Sequence, residues 1–228
     1  MKNKVAVLRK VPSLQAIDLS VLRRLASVSE ARRVSRRAPL WSPGQRASAL
    51  VVRSGVVRES MDHEGRSLTL GFFGRGAFVG AEIALDQPSI GAVEAYEEAV
   101  VLEVPGATLR EIVQTNGEFA VAMARHQLDQ RMELQTRLAG LVHHSAPSRL
   151  AAVILDLGRR FGVRDSRGTI VNLRLTHSEL AGLIGATRET VSVSVTRLRK
   201  HKILETDGKR IIILDRRSLG RLAIGKDL

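Results

Sequence analysis

The stretch from Thr176 to Leu214 constrains the fold of this chain more than any other. In Thr176-His177-Ser178-Glu179 a threonine stands three residues ahead of a glutamate. That is the pattern in which the hydroxyl accepts from a first-turn amide while the carboxylate reaches back to the cap residue's own amide. The helix it predicts carries Leu180, Leu183 and Ile184 on one side and stops at Gly185, with Ala181 small where a second helix must come close. Thr187 then caps a second helix, whose Val191, Val195 and Leu198 recur at helical spacing. Two short helices joined through one glycine form a helix-turn-helix. Ile203–Leu204, Asp207-Gly208 and Arg210–Leu214 predict a two-stranded wing behind it.

In such a motif the first residues of the second helix reach base edges in the major groove. Arg188 can grip guanine through O6 and N7, and Glu189 can accept from cytosine N4. Thr187, Ser192 and Val193 complete the candidate base-reading set. Thr176, Ser178, Arg197, Lys200, Lys209 and Arg210 are candidates for the phosphates, which supply affinity and salt dependence without sequence choice. The charge agrees: the chain has a formal net charge of +13, and residues 145–228 hold 17 Lys and Arg against 8 Asp and Glu. An excess of that size beside the motif points to double-stranded DNA as partner. A plain helical bundle with charged faces would need neither the glycine turn nor the basic exposed side.

From about Trp41 to Pro105 the chain reads as short strands broken by glycine turns. Ser48–Arg53, Val56-Val57, Ser67–Phe73, Ala77–Val79 and Val100–Val104 are the predicted strands. Asp62-His63-Glu64-Gly65 and Gly74-Arg75-Gly76 are turns between them, and the spacing suggests a small antiparallel barrel or jelly roll. Ahead of it, Leu14–Val28 has helical spacing at Leu14, Ile17, Leu22 and Leu25. After Pro105, Thr108–Val113 predicts a short helix. Glu118–Val142 then predicts a long one, roughly 37 Å at 1.5 Å per residue, with Phe119, Met123, Leu128, Met132, Leu134, Leu138 and Leu141 apolar. Gln127, Gln130 and Arg131 are expected on its other face. Periodicity leaves two readings open, a core helix lying on the barrel or a seam with a second copy. His143-His144-Ser145 and Pro147 mark a hinge, Ser148–Phe161 a helix buried through Leu150, Ile154, Leu157 and Phe161, and Gly162–Gly168 a turn.

Several function classes are closed. The absence of cysteine excludes disulfides, thiol nucleophiles, and Cys-ligated zinc or iron–sulfur clusters. A cupin-like metalloenzyme needs several histidines converging inside the barrel, and the strand region offers only His63, in an expected turn. His63, His126, His143 and His144 are conceivable haem ligands, but none stands in a context that compels ligation. No Ser/His/Asp set or phosphate-binding Gly-Lys-Ser/Thr loop appears. With five Phe, one Trp and one Tyr, little is available for stacking RNA bases. No apolar run of signal-peptide or membrane-spanning length is present, so the expected location is the cytoplasm.

Glu179-Leu-Ala-Gly-Leu-Ile-Gly-Ala-Thr-Arg-Glu-Thr-Val191 closely resembles the DNA-binding signature of the Crp/Fnr family of transcription regulators, and Gly74-Arg-Gly-Ala-Phe-Val-Gly80 resembles that family's β-roll turn. The resemblance implies an α+β fold in three parts: a cyclic-nucleotide-binding-like β-roll (jelly roll) over residues 1–116, a dimerisation helix and hinge over 117–144, and a winged helix-turn-helix over 145–228. It makes the long helix a homodimer seam, and implies a palindromic DNA site and RNA polymerase as a further partner. No cofactor is implied beyond the effector, and there the pattern departs. Where cyclic-nucleotide-binding members carry Gly-Glu, this chain has Gly80-Ala81-Glu82; where they carry Arg-Ser-Ala, it has Pro88-Ser89-Ile90-Gly91-Ala92. Isoleucine or glycine thus replaces the arginine that neutralises the cyclic phosphate, and Leu134-Gln135 falls where Thr-Ser would meet adenine. The candidate effector pocket is therefore Glu82, Ile90, Gly91, Leu134 and Gln135, and the usual cyclic AMP response is not expected. A regulator gated by a cyclic nucleotide or another small ligand and one with no effector are the two contenders. Val193 replaces a second guanine-reading arginine and could instead touch a thymine methyl; Ser194 stands where an apolar core residue is usual.

Overall fold

The computed structural model describes residues 2–44, 48–64, 66–87 and 89–226. Two compact units result, one built mainly from Met1–Gly65 and Thr69–Glu133, the other mainly from Leu134–Leu228. No helix among the described residues is long and apolar enough to cross a membrane.

The first unit opens with α1 (Lys2–Leu8), a single 3-10 turn at Pro12–Leu14, and α2 (Leu19–Val28). The continuous helix expected from Leu14 is broken because the Asp18 carboxylate accepts from the Ser20 amide at 2.7 Å and starts α2 one residue later. Leu14 and Ile17 are nonetheless buried, as their spacing suggested. Eight strands follow: β1 (Glu30–Val34), β2 (Pro39–Trp41), β3 (Ala49–Ser54), β4 (Val57–His63), β5 (Arg66–Phe73), β6 (Phe78–Val79), β7 (Ala92–Ala95) and β8 (Ala99–Val104). They form two four-stranded sheets, β1-β8-β3-β6 and β2-β7-β4-β5, the double sheet of a jelly roll. β4 runs on through Asp62 and His63, so the hairpin bend is narrower than the expected tetrapeptide; Gly65 lies outside the described residues. β1, β2 and β7 were not anticipated. β1 exposes four of its five residues and owes its place to pairing with β8, from Glu30 opposite Glu103 to Val34 opposite Ala99.

Helix α3 (Gly106–Thr115) and the part of α4 (Gly117–His143) up to Glu133 close this unit. Asn116 ends α3 and starts α4, its side-chain oxygen accepting from the Phe119 amide at 2.8 Å. One apolar cluster joins the helices to the roll through Leu8, Leu22, Leu102, Leu109 and Phe119; a second fills the roll around Trp41, Val57, Val93 and Val101. Each side chain fully buried in this way contributes about 1.5–3 kcal/mol.

The second unit contains α5 (Ala146–Phe161), β9 (Gly162–Asp165), β10 (Gly168–Val171), α6 (His177–Ile184), α7 (Arg188–Lys200), β11 (Leu204–Asp207), β12 (Arg210–Ile213) and α8 (Arg216–Ala223). The segment 162–168, expected to be a plain turn, is a β9–β10 hairpin. Its bend is held by Asp165, whose side chain accepts from the Arg167 amide at 3.0 Å. The hydrogen bond from the Arg167 amide first, and those from the Arg167 and Ser166 side chains next, push the Asp165 carboxyl down to about 2. The wing is consequently part of a four-stranded sheet, β11-β12-β10-β9, rather than an isolated pair. Leu150, Ile154 and Leu157 of α5 are buried, as is Leu219 of α8, which packs on it. Phe161 is only half-buried, with the Arg160 guanidinium 5.5 Å from its ring centre.

Candidate nucleic-acid interface

The capping box is complete. The Glu179 amide donates to the Thr176 hydroxyl at 3.2 Å, and the Thr176 amide donates to the Glu179 carboxylate at 2.6 Å. Gly185 ends α6 with φ +59, a left-handed conformation that favours glycine. Two residues later the Thr187 hydroxyl accepts from the Thr190 amide at 3.2 Å and starts α7. Val191, Val195 and Leu198 are buried, so the opposite side of α7 faces out. Ser194, on the buried side, satisfies its hydroxyl by donating to the Thr190 carbonyl at 2.8 Å.

Of the predicted base readers, Thr187, Arg188, Glu189 and Val193 are exposed together on the first two turns of α7, with Val193 at 70 % exposure. Ser192 is different. Its hydroxyl donates to the Arg188 carbonyl at 2.9 Å and lies 2.7 Å from His177 Nδ1, so it ties the two helices together. His177 carries no signal in the sequence that would have predicted this. Among the phosphate candidates, Ser178, Arg197, Lys200 and Lys209 are exposed. Thr176 is half-buried with its hydroxyl engaged in the capping box, and Arg210 is half-buried with a buried Nε. Arg149 is a positioning residue the sequence did not reveal. Its Nε donates to the Ile184 carbonyl at 2.8 Å and its guanidinium to the His144 carbonyl at 2.7 Å, holding α5 against the end of α6.

The candidate effector residues scatter by exposure. Glu82 is half-buried and Gly91 buried, whereas Ile90 is 72 % exposed; Pro88 lies outside the described residues. Leu134 and Gln135 are exposed on α4. Sequence reasoning missed Glu59, although the alternation from buried Val57 puts it on the inner face of β4. Across the sheet Glu59 and Trp41 both stand opposite Val93, on the same inner face. A Cβ on Gly91 would come within 3.2 Å of the Glu59 side chain. Arg58, one residue away, points to the other face and pairs with Glu94 at 2.9 Å.

Burial first, and the charge of Glu82 second, push the Glu59 carboxyl up to about 7. A carboxyl whose pKa rises on folding favours the native state while protonated. That contribution is complete below the unfolded value near 4.5 and is lost as pH climbs through about 7. Stability of the roll should thus fall between about pH 5 and pH 8, and Glu59→Gln should remove this slope, stabilising the protein by about 1–3 kcal/mol at pH 8. Urea titrations read by the single, buried tryptophan, Trp41, measure it; an unaltered slope in the variant would refute the assignment.

The other histidines named from the sequence are also placed. His126 Nε2 lies 3.0 Å from the Phe78 carbonyl, and its ring meets Phe78 edge-on at 5.6 Å. Burial pushes its pKa down, so it is a neutral anchor between α4 and β6. His143 and His144 are exposed at the end of α4, and the side chain of His63 lies outside those described.

The long helix sorts its side chains by face. Phe119 and Met123 are buried, His126 and Gln130 half-buried, while Val121, Leu128, Met132, Leu138 and Val142 are 51–74 % exposed. This reverses the expected placement of Gln130, which lies on the roll-facing side 3.3 Å from His126. Val121, Leu128 and Val142 repeat at multiples of seven residues, the period of a helix pair.

Family comparisons agree with this arrangement. A family model for the Crp-like helix-turn-helix domain matches residues 148–222, and one for the cyclic nucleotide-binding domain matches 31–116. Transcriptional regulator SdrP of Thermus thermophilus is 30 % identical over 182 residues, covering 79 % of this chain and 86 % of that protein. Electron transport regulator A of Shewanella oneidensis is 29 % identical over 177 residues, covering 77 % and 71 %. The solved structure of a Crp/Fnr-family transcriptional regulator from Thermus thermophilus is 26 % identical with a TM-score of 0.74, covering 87 % of this chain and all 100 % of that one. With a jelly roll ahead of a capped, glycine-jointed winged helix, and with these relatives, the chain belongs to the Crp/Fnr family of transcriptional regulators.

Proposed function

We propose that the protein is a cytoplasmic homodimer that inserts one α7 helix per subunit into successive major grooves of a palindromic site, with half-sites about 34 Å apart. The observation that carries this reading is the joint exposure of Arg188, Glu189 and Val193 on a helix fixed at its start by Thr187. Residues 1–116 form the sensor part, 117–144 the dimer helix and hinge, and 145–228 the DNA-binding part. RNA polymerase is the machinery on which a regulator of this kind acts. Selection from random duplexes should return a palindrome, and a consensus without two-fold symmetry would sink the dimeric reading. Arg188→Ala should cost about 1–3 kcal/mol per half-site and relax one base position. Lys209→Ala should weaken every sequence alike, because an exposed lysine at the wing tip contributes through phosphate. An altered consensus for that variant would contradict its role.

The roll residues do not fit a cyclic nucleotide. A cyclic phosphate needs a cation beside it. The inner face instead offers two interacting carboxylates, Glu59 and Glu82, while Ile90 points outward and Arg58 is spent on Glu94. The effector, where one acts, is of another chemistry. Calorimetry with cyclic AMP and cyclic GMP should show no binding, and micromolar affinity for either would reverse this conclusion.

A further inference from the structure

A cavity of about 280 Å³ opens within the second unit where the hinge, the first turn of α5 and the ends of α7 and α8 meet. Among the described residues its ionisable lining is Arg197, Lys226, His143 and His144, with no carboxylate. Neither Arg197 nor Lys226 makes an ion pair among the described residues, although Asp and Glu pair with arginines elsewhere in the same unit, as Asp156 does with Arg159 at 2.8 Å. Leu198 and Leu222 supply apolar wall. The hydroxyls of Ser145 and Ser148, also in the lining, lie 2.9 Å apart and share one hydrogen bond, which leaves one O–H free to donate. Two permanent cations with no carboxylate beside them among the described residues, a free hydroxyl and a volume at the small end of ligand pockets together select a compact, multiply charged oxyanion.

We propose that this cavity binds a phosphoryl anion, supplied either by a free phosphorylated metabolite or by a backbone phosphate of bound DNA. The site has regulatory reach because Arg197 belongs to the base-reading helix α7 while His143, His144 and Ser145 belong to the hinge. An anion held by both ties the orientation of the reading helix to the segment that joins it to the rest of the chain. Arg197 thereby acquires a role distinct from that of Lys200, which is exposed on the same helix but does not line the cavity.

The test uses the full chain without DNA, so that its outcome is independent of the DNA-binding reading. Calorimetry with sodium pyrophosphate at constant ionic strength should show one site per chain. Arg197→Gln and Lys226→Gln together should weaken it at least tenfold, and Lys226→Gln alone, at an exposed position beyond α8, should weaken it without touching the fold. Unaltered thermal melts verify that both variants are folded. Absence of pyrophosphate binding, or binding that survives both substitutions, would overturn the proposal. Repeating the titration on the complex with the selected duplex separates the sources. Undiminished binding identifies a free metabolite. Exclusion by DNA, together with a salt dependence of DNA binding reduced by about one ion in Arg197→Gln, identifies a backbone phosphate.

Discussion

Replacing Leu128 and Leu138 by glutamate should convert the protein to a monomer and abolish tight binding to a two-fold DNA site. Both side chains are solvent-exposed in the single chain, at 51 % and 63 %. The variant should therefore keep its fold, with circular dichroism and melting unchanged. In a helix pair, by contrast, four carboxylates would enter an apolar seam, where unpaired charge costs several kcal/mol per group. Losing the seam also loses the effective concentration of the second half-site, worth about 10²–10⁴ in affinity. Sedimentation equilibrium and gel shifts read the two consequences separately. A variant that still sediments as a dimer would show that the exposed stripe on α4 serves something else.

The second large effect concerns Gly55, in the link between β3 and β4. Its φ is +79, and a Cβ there would lie 2.2 Å from the Glu98 carbonyl oxygen and 2.6 Å from Ala99 Cα. Both obstacles are backbone, and β8 starts at Ala99, so nothing flexible can yield. Gly55→Val adds a branched side chain in a left-handed conformation to that clash, and should destabilise the roll by about 3 kcal/mol or more. Trp41 fluorescence during urea unfolding reports on the roll and not on the winged helix, since no other tryptophan exists. An unchanged urea midpoint would mean that the β3–β4 link is not packed as described.

The helix-turn-helix was legible to the residue, because capping boxes, a left-handed glycine and 3.6-residue apolar spacing act over a few positions and the signals lie in one short segment. The existence of α4 was legible for the same reason. Its faces were not. Apolar residues occur nearly all round it, and only the roll's choice of Phe119 and Met123 left Val121, Leu128 and Met132 as the free side. β1 was invisible since its residues are mostly charged and exposed, and its strand conformation comes from a partner some seventy positions away, as the Arg32–Glu103 bond at 2.8 Å illustrates.

The segment 176–214 thus determined by itself that this chain would present a capped, exposed helix beginning at Arg188 and Glu189, for the determinants are local and covalently close. The tertiary structure alone decided which side chains meet across separate elements. It turned Ser192 toward His177, brought Arg197 and Lys226 together at the hinge, and set Glu59 beside Glu82 inside the roll. Each of these joins residues far apart in the chain, and the physical reason is common to all. Charge and hydrogen-bonding interactions depend on distance and burial in space, which no spacing along the sequence specifies.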